Sequence, residues 1–216
     1  MSTSHLEQLF SFLQHLIFQQ IGGKIRTNFL KNSMDSAFIL FERIGSKFQI
    51  ISEIYLKMYQ EILTKEIFLA QISQHDRVLV IGSGSLPVTP TLIVRNTQAK
   101  TIAIDKDPVA VKDATHYVIS QNLERNLKIE YADGLTYPVG QFSVIFVLYG
   151  VKHPAEILRH LANHINQDTR VIYRTITDVQ GKILDQTLDL SQYFIIKKQI
   201  RTEGIGTIDS FLLLKK

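Results

Sequence analysis

The stretch Val78-Leu79-Val80-Ile81-Gly82-Ser83-Gly84-Ser85-Leu86-Pro87 constrains this chain more than any other. Its first four residues are apolar at consecutive rather than alternating positions. That pattern predicts a strand buried on both faces, as in a parallel sheet covered by helices. The strand runs directly into Gly-x-Gly, with a helix predicted beyond it. Glycines at such a turn let the backbone reverse sharply and bring a ligand against the main chain. The stretch therefore predicts an open α/β sheet with a ligand seat at the carboxyl end of its first strand.

The next predicted strand, Thr101–Ile104, ends at Asp105 and Lys106. Asp105 lies about 20 residues beyond the glycines, where a carboxylate can accept both hydroxyls of a ribose. A dinucleotide seat would carry a third glycine where this chain has Pro87, because the pyrophosphate requires tight helix–strand packing. Pro87 argues against NAD or FAD. S-adenosylmethionine has the adenosine but no pyrophosphate, and it fits. Tyr131-Ala132-Asp133-Gly134 closes the third strand. There Asp133 can take the adenine amino group, although Asp-Gly is also an ordinary turn pair. The predicted cofactor seat is Gly82, Ser83, Gly84, Ser85, Leu86, Asp105, Lys106, Asp133 and Gly134.

Three further strands are predicted at Leu127–Tyr131, Ser143–Leu148 and Val171–Arg174, with helices between the strands. One helix starts at Pro108 with Asp107 as its cap. Another starts at Pro154, with His153 as its cap, Glu156 in its first turn and Ile157, Leu158, Leu161 and Ile165 as its buried stripe. Tyr193–Ile200 and Asp209–Leu214 read as a terminal hairpin added to the parallel sheet.

The first 75 residues show helical spacing and no strand-like alternation. One helix carries Leu6, Leu9, Phe10, Leu13, Leu16 and Ile17 and stops at Gly22-Gly23. A second starts near Ser33, with Phe38, Phe41 and Ile44 on one stripe, and closes at Gly45. A third runs from about Ile50 to Ala70 on Ile51, Ile54, Tyr55, Met58, Ile62 and Ile67. The expected organisation is a helical cap over 1–75 and a ligand-binding α/β domain over 76–216.

Composition narrows the chemistry. The 216 residues include no cysteine, which excludes disulfides, thiolate metal sites and a thiol nucleophile. A net charge of +4 is a mild excess without a basic block, so neither nucleic acid nor a membrane is expected as a partner. No signal peptide or membrane span is predicted, and the expected setting is cytoplasmic. His160 and His164 share a helix face at a metal-like spacing, but no third ligand accompanies them, so no metal is expected. Tyr149 and His153 follow the fourth strand, where they could line an acceptor site.

The order strand–Gly-x-Gly–helix–strand–Asp–helix–strand–Asp–helix with a terminal hairpin resembles the Rossmann-like class I S-adenosylmethionine-dependent methyltransferase fold, a mostly parallel seven-stranded sheet. The resemblance covers roughly residues 75–216. Such methyltransferases usually carry an acid two residues before the first glycine, and here that position is Val80. Gly82-Ser83-Gly84-Ser85-Leu86-Pro87-Val88-Thr89 resembles instead the glycine turn of nicotianamine synthases. Tyr173-Arg174-Thr175, Ile208-Asp209-Ser210-Phe211 and the preceding helical unit agree with that family. Ile176-Thr177-Asp178-Val179-Gln180-Gly181 departs from the family's Gly-Ala-Arg-rich pattern.

The resemblance implies transfer of the 3-amino-3-carboxypropyl group of S-adenosylmethionine to a small amine or amino acid. It also implies a glutamate from the helical unit as the group that frees the amine. Glu42, Glu53, Glu61 and Glu66 are the acids available, with Glu42 first, and Tyr55 or Tyr59 could assist. Any of these acids would otherwise sit on a solvated helix face. Methyl transfer to a small molecule, and S-adenosylmethionine binding without catalysis, remain alternatives. A homodimer is compatible with every one of these readings.

Overall fold

The computed structural model describes residues 49–177, 183, 189–202 and 208–216. The two helices predicted before residue 49, and Glu42 with them, lie outside the described residues. The first described element is α1 (Gln49–Leu69). Then come β1 (Arg77–Ile81), α2 (Val88–Thr97), β2 (Lys100–Asp105), α3 (Pro108–Ser120), β3 (Leu127–Tyr131) and β4 (Val144–Val147). The chain continues through α4 (Pro154–His164), β5 (Arg170–Ile176), a short helical turn at Leu190–Gln192, β6 (Phe194–Thr202) and β7 (Ile208–Lys215).

The described strands form one seven-stranded sheet in the order β3-β2-β1-β4-β5-β7-β6. β1 to β5 are parallel neighbours, and β7 runs antiparallel between β5 and β6. All seven strands fall where the sequence predicts them. The strand order reverses between β1 and β4, which opens a crevice beyond their carboxyl ends.

Side-chain alternation explains the two layers. Val78, Val80, Val144 and Phe146 point to a core shared with α1, α2 and α3. Leu79, Ile81, Ile145 and Val147 point to the opposite core, filled by Ile157, Leu158 and Leu161 of α4 and by Phe211 and Leu213 of β7. Helices on both faces are why these strands read as continuous apolar runs.

Asp107 caps α3 as predicted, accepting the Val109 N–H at 2.9 Å. His153 departs from expectation. It occupies the cap position of α4 with its backbone at φ 57, and its side chain makes no capping hydrogen bond. Pro154 disfavours right-handed helical geometry at the preceding residue. The His153 ring lies instead near Glu156, with Nδ1 3.7 Å from the carboxylate.

Of the expected α1 stripe, the side chains of Ile51, Ile54, Tyr55 and Met58 lie outside the described residues, and Ile62 is buried as expected. Leu56, Ile62, Leu63 and Ala70 are buried, and so is Glu66 at 0% exposure. Ile67 is only half-buried against the core. Glu61, by contrast, is solvated and pairs with Lys65 at 2.7 Å. At the lower end of α1, Arg170 donates to the Ala70 and Gln71 carbonyls and to Asp76. Asp76 accepts the Ser143 hydroxyl at 2.7 Å and the Ser73 N–H at 2.8 Å. This lattice clamps the end of α1 against the amino edge of the sheet.

Candidate active site

The glycine turn sits at the switch point between β1 and β4. Gly82 and Ser83 both donate their N–H groups to the Ile104 carbonyl, at 2.9 and 3.2 Å. Gly82 has φ 85 and Gly84 φ 66, in the left-handed region that only glycine enters without strain. A side chain at Gly82 would also place its Cβ 2.5 Å from Cγ1 of Val151. The loop after β4 therefore packs directly on the turn.

Asp105 reaches the turn from the end of β2. Its Oδ2 accepts the Gly84 N–H at 2.9 Å, and its Oδ1 accepts the Asp107 N–H at 3.0 Å. The carboxylate thus holds the loop in shape while keeping lone pairs for a ligand. Ser83 is 4% exposed, and its hydroxyl has no hydrogen-bond partner among the described residues. A buried hydroxyl without a partner is costly unless something else satisfies it. Ser83, Asp105 and the start of α2 therefore suit a ligand with both a diol and an anionic group. Ser85 and Leu86 bury their side chains, Leu86 in the main core beneath the turn.

Asp133 is exposed, and its Oδ1 accepts the Leu135 N–H at 2.9 Å, so it shapes the turn after β3. A Cβ on Gly134 would come within 2.7 Å of Ile81 Cγ2. The residue is glycine because the turn presses on β1. Lys106 is exposed on the same edge.

The other side of the crevice is aromatic and apolar. Tyr59 of α1 and Tyr149 at the end of β4 pack against Ile62, Ile176 and Ile208. Beneath them lies a buried charge pair. Arg174 of β5 donates from Nε to Glu66 Oε1 at 3.1 Å and from Nη2 to Oε2 at 2.6 Å. Its Nη1 donates to the Thr89 hydroxyl on α2 at 3.2 Å, and Ser210 of β7 donates to Glu66 at 2.5 Å. The Arg174 guanidinium carbon also lies 5.8 Å from the centre of the Tyr59 ring.

The sequence reading undervalued this pair. Glu66 was one of four acids available as the base, or else a solvated one, and Arg174 was only a point of resemblance. Two signals were present: a charge in register with Leu56, Leu63 and Ala70 on a helix, and a charge within an apolar strand. A buried charge requires a partner, so each predicts the other.

His160 and His164 stack with ring centres 4.5 Å apart. His160 Nε2 lies 2.9 Å from the Tyr137 carbonyl, and His164 Nδ1 lies 2.8 Å from the His160 carbonyl. Among the described residues no group of three ligands could hold a metal ion, and no helix is long and apolar enough to cross a membrane.

Comparison with known proteins gives the site its context. In solved structures, MtNAS in complex with MTA and tNA has the same fold at a TM-score of 0.77 and 17% identity, over 100% of this chain and 90% of that one. A mutant of MtNAS in complex with S-adenosylmethionine matches at 0.75 and 17% identity, over 100% and 92%. An RNA methyltransferase from Salinibacter ruber matches at 0.56 and 14% identity, over 72% and 90%. The fold is therefore the Rossmann-like class I methyltransferase fold that the glycine turn and strand order predict. Among curated proteins, L-histidine 2-aminobutanoyltransferase of Yersinia pestis is 29% identical over 124 residues, which is 56% of this chain and 45% of that protein. The match thus spans less than half of that relative's length. A family model described as nicotianamine synthase protein matches residues 52–216, from within α1 to the end of the chain. The chain belongs to the nicotianamine synthase family.

Proposed function

We propose that this protein transfers the 3-amino-3-carboxypropyl group of S-adenosylmethionine to the amine of a small, amino-acid-like acceptor. The observation that carries the proposal is the junction of two surfaces at one sheet edge. On one side is a glycine turn with an unsatisfied Ser83 hydroxyl. On the other is a wall built from Tyr59, Tyr149 and the apolar residues beneath them. Family membership and the MtNAS complex with S-adenosylmethionine support the choice of co-substrate. The Yersinia relative, an aminobutanoyltransferase by name, supports the choice of group transferred.

The sulfonium of S-adenosylmethionine makes its Cγ electrophilic. Attack by the amine lone pair forms the N–Cγ bond, while the S–Cγ electron pair returns to sulfur and leaves methylthioadenosine. In this reading Asp105 takes the ribose hydroxyls, Ser83 takes the carboxylate end, and Asp133 meets the adenine. The acceptor amine must lose a proton before or during attack. Glu42 from the proposed cap over 1–75 is the base, with Tyr149 lining the acceptor side. The acceptor is a small molecule and not a nucleic acid, and the setting is cytoplasmic.

Mass spectrometry of reactions with S-adenosylmethionine and a panel of amino acids tests the proposal. Methylthioadenosine with an equimolar aminocarboxypropylated acceptor is the expected result. S-adenosylhomocysteine would mean methyl transfer and would overturn it.

A further inference from the structure

We propose that Glu66 and Arg174 are positioning residues that tie the cofactor side of the site to the acceptor side. This rests on the transferase reading above. Arg174 touches α1 through Glu66 and the Tyr59 ring, and α2 through the Thr89 hydroxyl. Glu66 reaches β7 through Ser210. One fork-to-fork pair thus connects the helix that follows the glycine turn with the helix that presents Tyr59. Thr89 lies two residues past Pro87, in the first turn of α2, so a shift of α1 is felt at the turn.

Burial argues for positioning over simple adhesion. The side chains of Arg174 and Glu66 are 4% and 0% exposed. Desolvating two charges is expensive, and a well-packed apolar pair often serves stability equally well or better. The end of α1 is already anchored by Arg170 and Asp76. What the buried pair adds is direction. Paired N–H···O bonds fix the plane of the guanidinium, and that plane lies near the Tyr59 ring. The acceptor wall and the cofactor turn then keep a set distance, which in-line attack on Cγ requires.

The test uses the full chain with Glu66→Leu and Arg174→Met combined, which removes both charges and leaves neither unpaired. The expected result is a folded protein that binds S-adenosylmethionine within about threefold of wild type. Its kcat per cofactor-binding site should fall by about 10²-fold, the scale of a 1 Å misplacement. Thr89→Val, which cuts only the link to α2, is the second variant if the first does not fold. It should lower kcat in the same sense at a modest cost in thermal stability, since it removes one hydrogen bond to a buried guanidinium. Arg174→Lys, which keeps the charge but loses the fork, should fail to restore kcat. Wild-type kcat and acceptor KM in the folded double variant, or in Thr89→Val, would overturn the proposal. Turnover is read on whichever adenosyl product the wild type releases. A wild type yielding S-adenosylhomocysteine would refute aminocarboxypropyl transfer, while the kcat comparison would still decide the role of the pair.

Discussion

The two edges of the sheet treat the same residue type differently. Strand β5 sends Arg170 and Arg174 to one face, four residues apart, and both meet α1 or the chain just after it. Arg170 works at the amino edge with its side chain 24% exposed, against an Asp76 that is 9% exposed. Around it carbonyls, hydroxyls and the carboxylate satisfy one another. Arg174 works toward the carboxyl edge and is almost wholly buried. Above it lie the Ser83 hydroxyl, without a partner among the described residues, and the glycine turn, with Gly82 and Gly84 at positive φ. The amino edge is closed chemically and serves stability. The carboxyl edge holds a buried hydroxyl and a glycine turn that a ligand can approach closely.

Four experiments would break or sharpen that contrast. Glu66→Gln leaves Arg174 buried without a counter-charge and should cost about 3–5 kcal/mol in urea unfolding. Asp76→Asn should cost less, about 1–3 kcal/mol, because water can reach Arg170. Equal losses from the two would show that depth of burial does not separate the pairs.

Gly84→Val should cost about 1–3 kcal/mol of backbone strain at φ 66 and abolish cofactor binding by calorimetry. Normal binding by this variant would show that the carboxyl-edge turn is structural only.

Acid titration addresses the amino edge. Burial pushes the Asp76 carboxyl up, but hydrogen bonds from Ser143 and Ser73 and the nearby Arg170 charge outweigh it. The net pKa lies below the ordinary 3.8. A depressed folded value means that this stabilisation is fully present above the unfolded pKa and is lost as pH falls through the folded one. Stability measured by urea should therefore decline as pH drops below about 4, and Asp76→Asn should flatten that decline. An unchanged acid limb in the variant would remove Asp76 from the account.

The smallest effect is expected at Glu61, whose exposed pair with Lys65 touches neither edge. Glu61→Gln should change stability by no more than about 0.5 kcal/mol, and a larger loss would mean that solvated α1 contacts matter more than either edge.

Much of this was legible in the residues themselves. Continuous apolar runs marked the parallel strands, because burial on both faces leaves no polar alternation. Gly82-Ser83-Gly84 marked the turn, because only glycine tolerates that backbone. Asp105 was singled out by its distance from the turn, and its hold on the Gly84 and Asp107 N–H groups became visible only in three dimensions. His153 was read as the cap of α4 and holds that position, and only the folded structure showed that its side chain makes no capping hydrogen bond.

The sequence by itself determined the layers, the strand positions and the glycine turn after β1, since these follow from local periodicity and from the backbone freedom of particular residues. Only the tertiary structure decided which charges are buried and what they join. Glu66 and Arg174 are 108 positions apart, and Ser210 is 144 from Glu66. No local pattern encodes such a meeting. It arises because α1 packs across the face formed by β5 and β7, and a charge carried into that low-dielectric contact is tolerated only where its partner already waits.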